Sequence, residues 1–186
     1  MTRKKNEWLD WIKALVIAGL LAFIVRMFFF APIVVDGPSM LPTLKNGDHM
    51  IVNKFNYLIG EPERFDIVVF HATANRDYIK RVIGLPGEHV AYENDTLYID
   101  GQKMDEPFLN GEKSTLLEKQ LYTFDFTLED VPGDFETIPE EHVLVLGDNR
   151  DNSTDSRILG LISYEQIVGE ADLIYWPLNR FSLIKE

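Results

Sequence analysis

The chain has 186 residues, a formal charge of −12 and no cysteine. That length allows one compact domain, or one with a small insertion, and 46% hydrophobic residues suffice for a core. The charge excludes nucleic acid as a partner, since neutralising phosphates needs Lys and Arg in excess. The missing cysteines exclude a thiol nucleophile, a disulfide framework and a Cys-ligated metal.

The charge is uneven. Residues 1–31 hold Arg3, Lys4, Lys5, Lys13 and Arg26 against Glu7 and Asp10, a balance of +3 that leaves −15 for the rest. From Trp11 to Val35 the chain is almost wholly apolar, broken by Lys13 and Arg26. Its uncharged core, Ala14 to Val25, is short for a membrane span and taken alone also fits a signal-peptide h-region or a buried helix. The apolar run resumes at once from Met27 to Val35, so the whole exceeds the roughly 20 residues a bilayer needs. Arg26 lies late enough to snorkel toward an interface, beside an aromatic collar of Phe28, Phe29 and Phe30. No small-residue cleavage site follows, which favours one uncleaved transmembrane helix over a removed signal. Pro32 stops that helix at about Ala31. By the positive-inside rule the Arg3-Lys4-Lys5 cluster stays cytoplasmic. Residues 1–31 are then head and anchor of a single-pass protein of the cell membrane, and residues 32–186 lie outside the cytoplasm.

After the anchor come short apolar runs between turn residues, the pattern of a mainly β domain built on antiparallel sheet. Strands are predicted at Ile33–Asp36, His49–Asn53, Ile67–His71, Tyr78–Gly84, His89–Glu93, Thr96–Ile99, His142–Leu146 and Leu173–Trp176. Asn94-Asp95 and Asp100-Gly101 are the turn dipeptides between them. Residues 104–141 are acidic with weak periodicity and read as a small irregular insertion or subdomain, its charges a solvated face.

Three segments carry possible chemistry. The first is Gly37-Pro38-Ser39-Met40-Leu41-Pro42-Thr43-Leu44. A serine in such a turn can be exposed with backbone N–H groups converging beside it, as a nucleophile and its oxyanion hole require; the alternative is a Pro-rich linker. The second is Asp77 to Glu88, where Tyr78, Lys80 and Val82 share one strand face and Ile79, Arg81 and Ile83 the other. An inward Lys80 would be desolvated, its pKa lowered, and a neutral amine made available as a general base. The alternative is an edge strand with both basic residues reaching solvent. The third, Gly147 to Arg157, superficially resembles a calcium loop. Its third position counted from Asp148 is Arg150, and its twelfth counted from Asp151 is Ile162, so no metal is expected. Such a mix of Asp, Asn, Ser and Arg suits a turn that bonds its own backbone and orients a neighbouring site. The sequons at Asn94 and Asn152 read as incidental. His49, His71, His89 and His142 have no Asp-rich partner motif, so a Ser-His-Asp triad has no support, whereas a Ser-Lys pair is an established variant.

These three segments, in this order behind an N-terminal anchor, resemble the bacterial type I signal peptidases, most of all their Gram-positive form, over nearly the whole chain. The resemblance implies a serine endopeptidase without cofactor, with Ser39 as nucleophile and Lys80 as general base. It implies that Ser153 hydrogen-bonds the Lys80 amine, that Asp155 and Arg157 pair to hold the Ser153 loop, and that the Ser39 backbone N–H serves the oxyanion. Some members carry a second serine two residues before the nucleophile; here that position is Gly37. Partners would be the signal peptides of exported preproteins and membrane lipid, with cleavage after Ala-x-Ala. Shallow pockets near Val35, Met40, Tyr78 and Ile79 would take the small side chains. Two other readings remain: a self-cleaving repressor-type Ser-Lys peptidase, which the anchor and charge oppose, and an anchored β-domain adaptor in which Ser39 and Lys80 are structural.

Overall fold

The computed structural model describes residues 7–114 and 120–184; of residues 7, 24–28, 58 and 59 only the backbone is described. A helix spans Glu7–Phe28. Trp8, Trp11, Leu15, Val16, Leu20 and Phe23 are all exposed on it, so apart from the exposed Asp10–Lys13 pair near its start its described surface is apolar rather than amphipathic. Among the described residues no helix is long and apolar enough to cross a membrane. The Arg3-Lys4-Lys5 cluster and the side chains of Arg26 and Phe28 lie outside the described residues. Phe29 packs at 5.5 Å on the Phe55 ring, and Phe30 begins a strand instead of continuing a collar.

The chain then forms β1 (Phe30–Val34), β2 (His49–Asn53), β3 (Ile67–Thr73), β4 (Arg76–Gly84), β5 (Val90–Glu93) and β6 (Thr96–Ile99). There follow β7 (Gln102–Met104), β8 (Phe126–Thr127), β9 (His142–Leu146), β10 (Ile162–Ser163), β11 (Ile167–Trp176) and β12 (Ser182–Leu183). The helix therefore ends before Ala31, and Pro32 sits inside β1, opposite Ile51 of β2. A proline is tolerated there because β1 is an edge strand.

The larger sheet runs β1-β2-β11-β3-β4-β9-β10, with β12 paired to β11, and its pairings are antiparallel. A second sheet, β7-β6-β5-β8, begins at Val90 and takes only its last pieces from 104–141. Its hairpins turn at Asn94 (φ 49°) and Asp95 (φ 62°), and at Asp100 (φ 51°) and Gly101 (φ 76°). Positive φ at both central residues is the turn that matches strand twist, and Asn, Asp and Gly reach it most cheaply.

One core cluster joins the two sheets, with Ile83, Leu144 and Leu146 packed with Val90, Tyr92 and Leu97. Another, Met40, Leu44, Met50, Val52, Val69 and Ile174 among others, underlies the loop between β1 and β2. β4 lies between β3 and β9 and is not an edge, so the edge-strand reading of Lys80 and Arg81 is overturned. Both side chains are buried.

Candidate active site

The loop after β1 is held at both rims. Val35 N–H donates to Asp48 O at 2.8 Å, and Gly47 N–H donates to Val35 O at 2.9 Å. Gly37 turns the chain at φ 100°, a region an L side chain enters only with strain. Met40 and Leu44 then drop fully into the core, and Leu44 N–H donates to Met40 O at 2.8 Å. Ser39, next to that anchor, is left half-buried. The far rim is tied down by Arg180, which donates Nη2 to Asp48 Oδ2 at 2.8 Å and to Thr43 O at 3.1 Å.

Lys80 approaches from β4. Its Nζ stands 2.8 Å from Ser39 Oγ and 2.8 Å from Ile79 O. Its residue exposure is 3%, and loss of hydration lowers its pKa from 10.5 to about 8, against the Asp155 and Asp148 carboxylates, which raise it. An amine with that pKa is neutral in part near pH 7 and can accept a proton. Protonated, it donates to the hydroxyl; neutral, it can receive from it.

The Gly147–Arg157 loop closes the site from the third side. Asn149 N–H donates to Ser39 O at 3.0 Å, and Asn149 Nδ2 donates to Pro38 O at 3.2 Å. Asp148 receives Arg81 Nε at 2.9 Å and Nη2 at 2.8 Å, a buried bidentate pair. Asp155 receives Arg157 Nε and Nη2, both at 2.8 Å, and Gly147 N–H at 3.0 Å. Burial pushes the Asp155 pKa up, but the Arg157 bonds and charge and the Gly147 N–H outweigh it, and the carboxyl ends below its ordinary range.

Ser39 and Lys80 thus meet, and Asp155 and Arg157 pair beside them. Val35, Met40, Tyr78 and Ile79 all line one open cleft of about 450 Å³ that reaches Ser39 and Lys80. Ser153 departs from expectation: its hydroxyl makes no hydrogen bond to Lys80. Ser153 Oγ is buried without a hydrogen bond of ordinary geometry, packed over Gly147. The Ser39 N–H donates to no described group, and the Gly37 N–H is taken by Asn46 Oδ1 at 3.0 Å. Neither Asp148 and Arg81 nor Asp48 and Arg180 stood out in the sequence. Each pair joins residues far apart in the chain, and only the unusual Lys80-Arg81 doublet on one strand hinted at the first.

Comparison with known proteins follows the same outline. A family model described as signal peptidase, peptidase S26, matches residues 8–176. The signal peptidase I of Bacillus caldolyticus is 48% identical over 186 residues, covering 98% of each chain. The signal peptidase IB of Staphylococcus aureus (strain Mu50) is 46% identical over 182 residues, covering 95% of this chain and 94% of the other. A crystal structure of a signal peptidase I from Enterococcus faecalis aligns with TM-score 0.57 at 43% identity, covering 60% of this chain and 97% of that one. With Ser39 against a buried Lys80 on a mainly antiparallel β body, and with relatives aligned from end to end, the chain belongs to the signal peptidase family, peptidase S26.

Proposed function

We propose that this enzyme is a membrane-anchored Ser-Lys endopeptidase that removes signal peptides from exported preproteins after Ala-x-Ala. The observation that carries the chemistry is the 2.8 Å approach of Lys80 Nζ to Ser39 Oγ, made by a lysine whose burial lowers its pKa to about 8. Neutral Lys80 takes the Ser39 proton as Oγ attacks the scissile carbonyl. The oxyanion is stabilised by the uncommitted Ser39 N–H. Collapse of the tetrahedral species expels the mature chain's amino group, protonated by Lys80, and leaves an acyl-enzyme. Water, deprotonated by Lys80, then releases the signal peptide and restores Ser39.

An extended peptide fits between Val35 on one side and Tyr78 and Ile79 on the other, as a strand with alternate side chains facing the cleft. Met40, Val35 and Ile79 leave that wall shallow and apolar, which suits alanine-sized groups. The body 32–186 is the catalytic domain, with about 104–141 as an inserted segment; residues 1–31 are head and anchor.

The anchor reading rests on the apolar run from Trp11 to Val35 in the sequence and on the exposed Trp8, Trp11, Leu15, Val16, Leu20 and Phe23 of the Glu7–Phe28 helix, side chains that suit lipid better than water. The basic N-terminus favours a cytoplasmic head and an extracytoplasmic Ser39, where preproteins emerge.

The test is cleavage of a preprotein in lipid vesicles by wild type, Ser39→Ala and Lys80→Ala. Cutting after Ala-x-Ala by wild type alone, with both variants folded, supports the reading. A folded Ser39→Ala that still cuts removes it, and failure of both wild type and variants to enter vesicles removes the anchor.

A further inference from the structure

The loop that closes on Ser39 is held by three ion pairs whose carboxylates are buried. Two come from the larger sheet and from the loop itself: Arg81 with Asp148 and Arg157 with Asp155. The third comes from the other module. Glu106, just past β7 and only 6% exposed, receives Arg150 Nη2 and the Tyr92 hydroxyl on the same Oε1, each at 2.6 Å. This corrects the reading of residues 104–141 as solvated charge at its first acidic position after Asp105.

Arg150 is itself 2% exposed. Its Nη1 donates to Tyr92 OH at 2.8 Å and Thr123 Oγ1 at 3.1 Å, and its Nε donates to Gly147 O at 3.0 Å. One guanidinium therefore reaches the second sheet at one end and the residue beneath the Ser39 carbonyl at the other. The preceding residue, Asn149, holds that carbonyl through its N–H. Tyr122 adds a tether from the same module, its hydroxyl donating to Asp148 O at 2.8 Å. A guanidinium this buried is stable only while its carboxylate partner is present.

We infer that Glu106 is a positioning residue: through Arg150 it sets the seat of the Gly147–Asn149 segment under Ser39, and this is what the second sheet contributes to catalysis. The inference rests on the Ser39–Lys80 chemistry proposed above. Glu106 touches neither substrate nor dyad, so its loss acts on turnover through geometry. A displacement of about 1 Å at a reacting group costs up to ~10²-fold in rate.

The experiment measures kcat and KM on a preprotein for the full chain in vesicles, at a temperature where circular dichroism finds each variant folded. Glu106→Ala is expected to lose at least about tenfold in kcat with KM within about twofold, and Glu106→Gln, which keeps the acceptor oxygen, to lie between it and wild type. Ile99→Ala, a cavity in the same module where β6 pairs with Val90 and Gln102 rather than with Tyr92, controls for general loosening and keeps wild-type kcat. A folded Glu106→Ala with wild-type kcat overturns the inference, as does an Ile99→Ala loss equal to that of Glu106→Ala. If Glu106→Ala does not fold, Glu106→Gln decides: a reduced kcat at unchanged KM supports the role, and wild-type kcat overturns it. Should wild type itself not cut, the proposed chemistry falls first, which separates the two failures.

Discussion

The carbonyl oxygen of Ser39 lies 2.5 Å from the point a Cβ on Gly147 would occupy, and Ser153 Oγ lies 2.2 Å from it. Main chain cannot give way as a flexible side chain can. Gly147 is thus what lets the loop press against the Ser39 backbone. Gly147→Ala is expected to cut kcat/KM by about 10²-fold and stability by about 1–3 kcal/mol. Progress curves and urea denaturation check both; an active, equally stable variant would mean the contact is not needed.

Lys80 makes activity and stability depend on pH in linked ways. With a pKa of about 8, the reactive neutral amine grows tenfold per unit below pH 8 and levels above it, so kcat/KM should rise and plateau there. The folded pKa is below the unfolded one, so the unfolded chain binds more protons between about pH 8 and 10.5. Burial of the charge costs stability in full below pH 8, and that cost is relieved as pH rises, by about 3 kcal/mol in all. Lys80→Met should therefore be inactive yet more stable than wild type at pH 7, with the gap narrowing by pH 9.5. Paired urea titrations at the two pH values measure it, and parallel curves would contradict the lowered pKa.

Ser153 carries a buried hydroxyl that makes no hydrogen bond of ordinary geometry and only helps lower the pKa of the neighbouring Asp155 carboxyl. Such a group is a cost, so Ser153→Ala should leave stability unchanged or raise it by about 1 kcal/mol. A drop in melting temperature would point to a bond that the present arrangement lacks, with Lys80 the nearest claimant by family resemblance.

Ile79 forms part of the apolar wall of the cleft and packs on the core cluster around Val69. Ile79→Ala should admit larger side chains, raising cleavage after valine relative to alanine by about tenfold, at a stability cost of about 2 kcal/mol. Competition between two preproteins differing at that one position gives the ratio directly. An unchanged ratio would move the specificity wall elsewhere.

Much of the architecture is legible along the chain. β2, β6 and β9 have the predicted bounds because each is a short apolar run closed off by turn or polar residues. Asn94-Asp95 and Asp100-Gly101 turn where their φ tolerance allows. β7, β8, β10 and β12 escape prediction because two or three residues hold no period. The first half of β11, Ile167 to Asp172, is interrupted by Gly169, Glu170 and Asp172. Gly169 is required there because a Cβ would stand 2.4 Å from the Asn53 carbonyl of β2, a contact only the folded sheet creates.

By itself the sequence determined the class of body and the absence of thiol chemistry, which follow from local periodicity and composition. Which serine to set against which lysine came from the family resemblance that its three short motifs carry. The tertiary structure decided that β4 is interior, that Arg81 pairs with Asp148 and Arg150 with Glu106, and that Ser153 Oγ makes no hydrogen bond to Lys80. Those pairs lie 67 and 44 residues apart in the chain. A charge in a sequence says nothing about its partner until burial, which makes an unpaired charge intolerable, selects one.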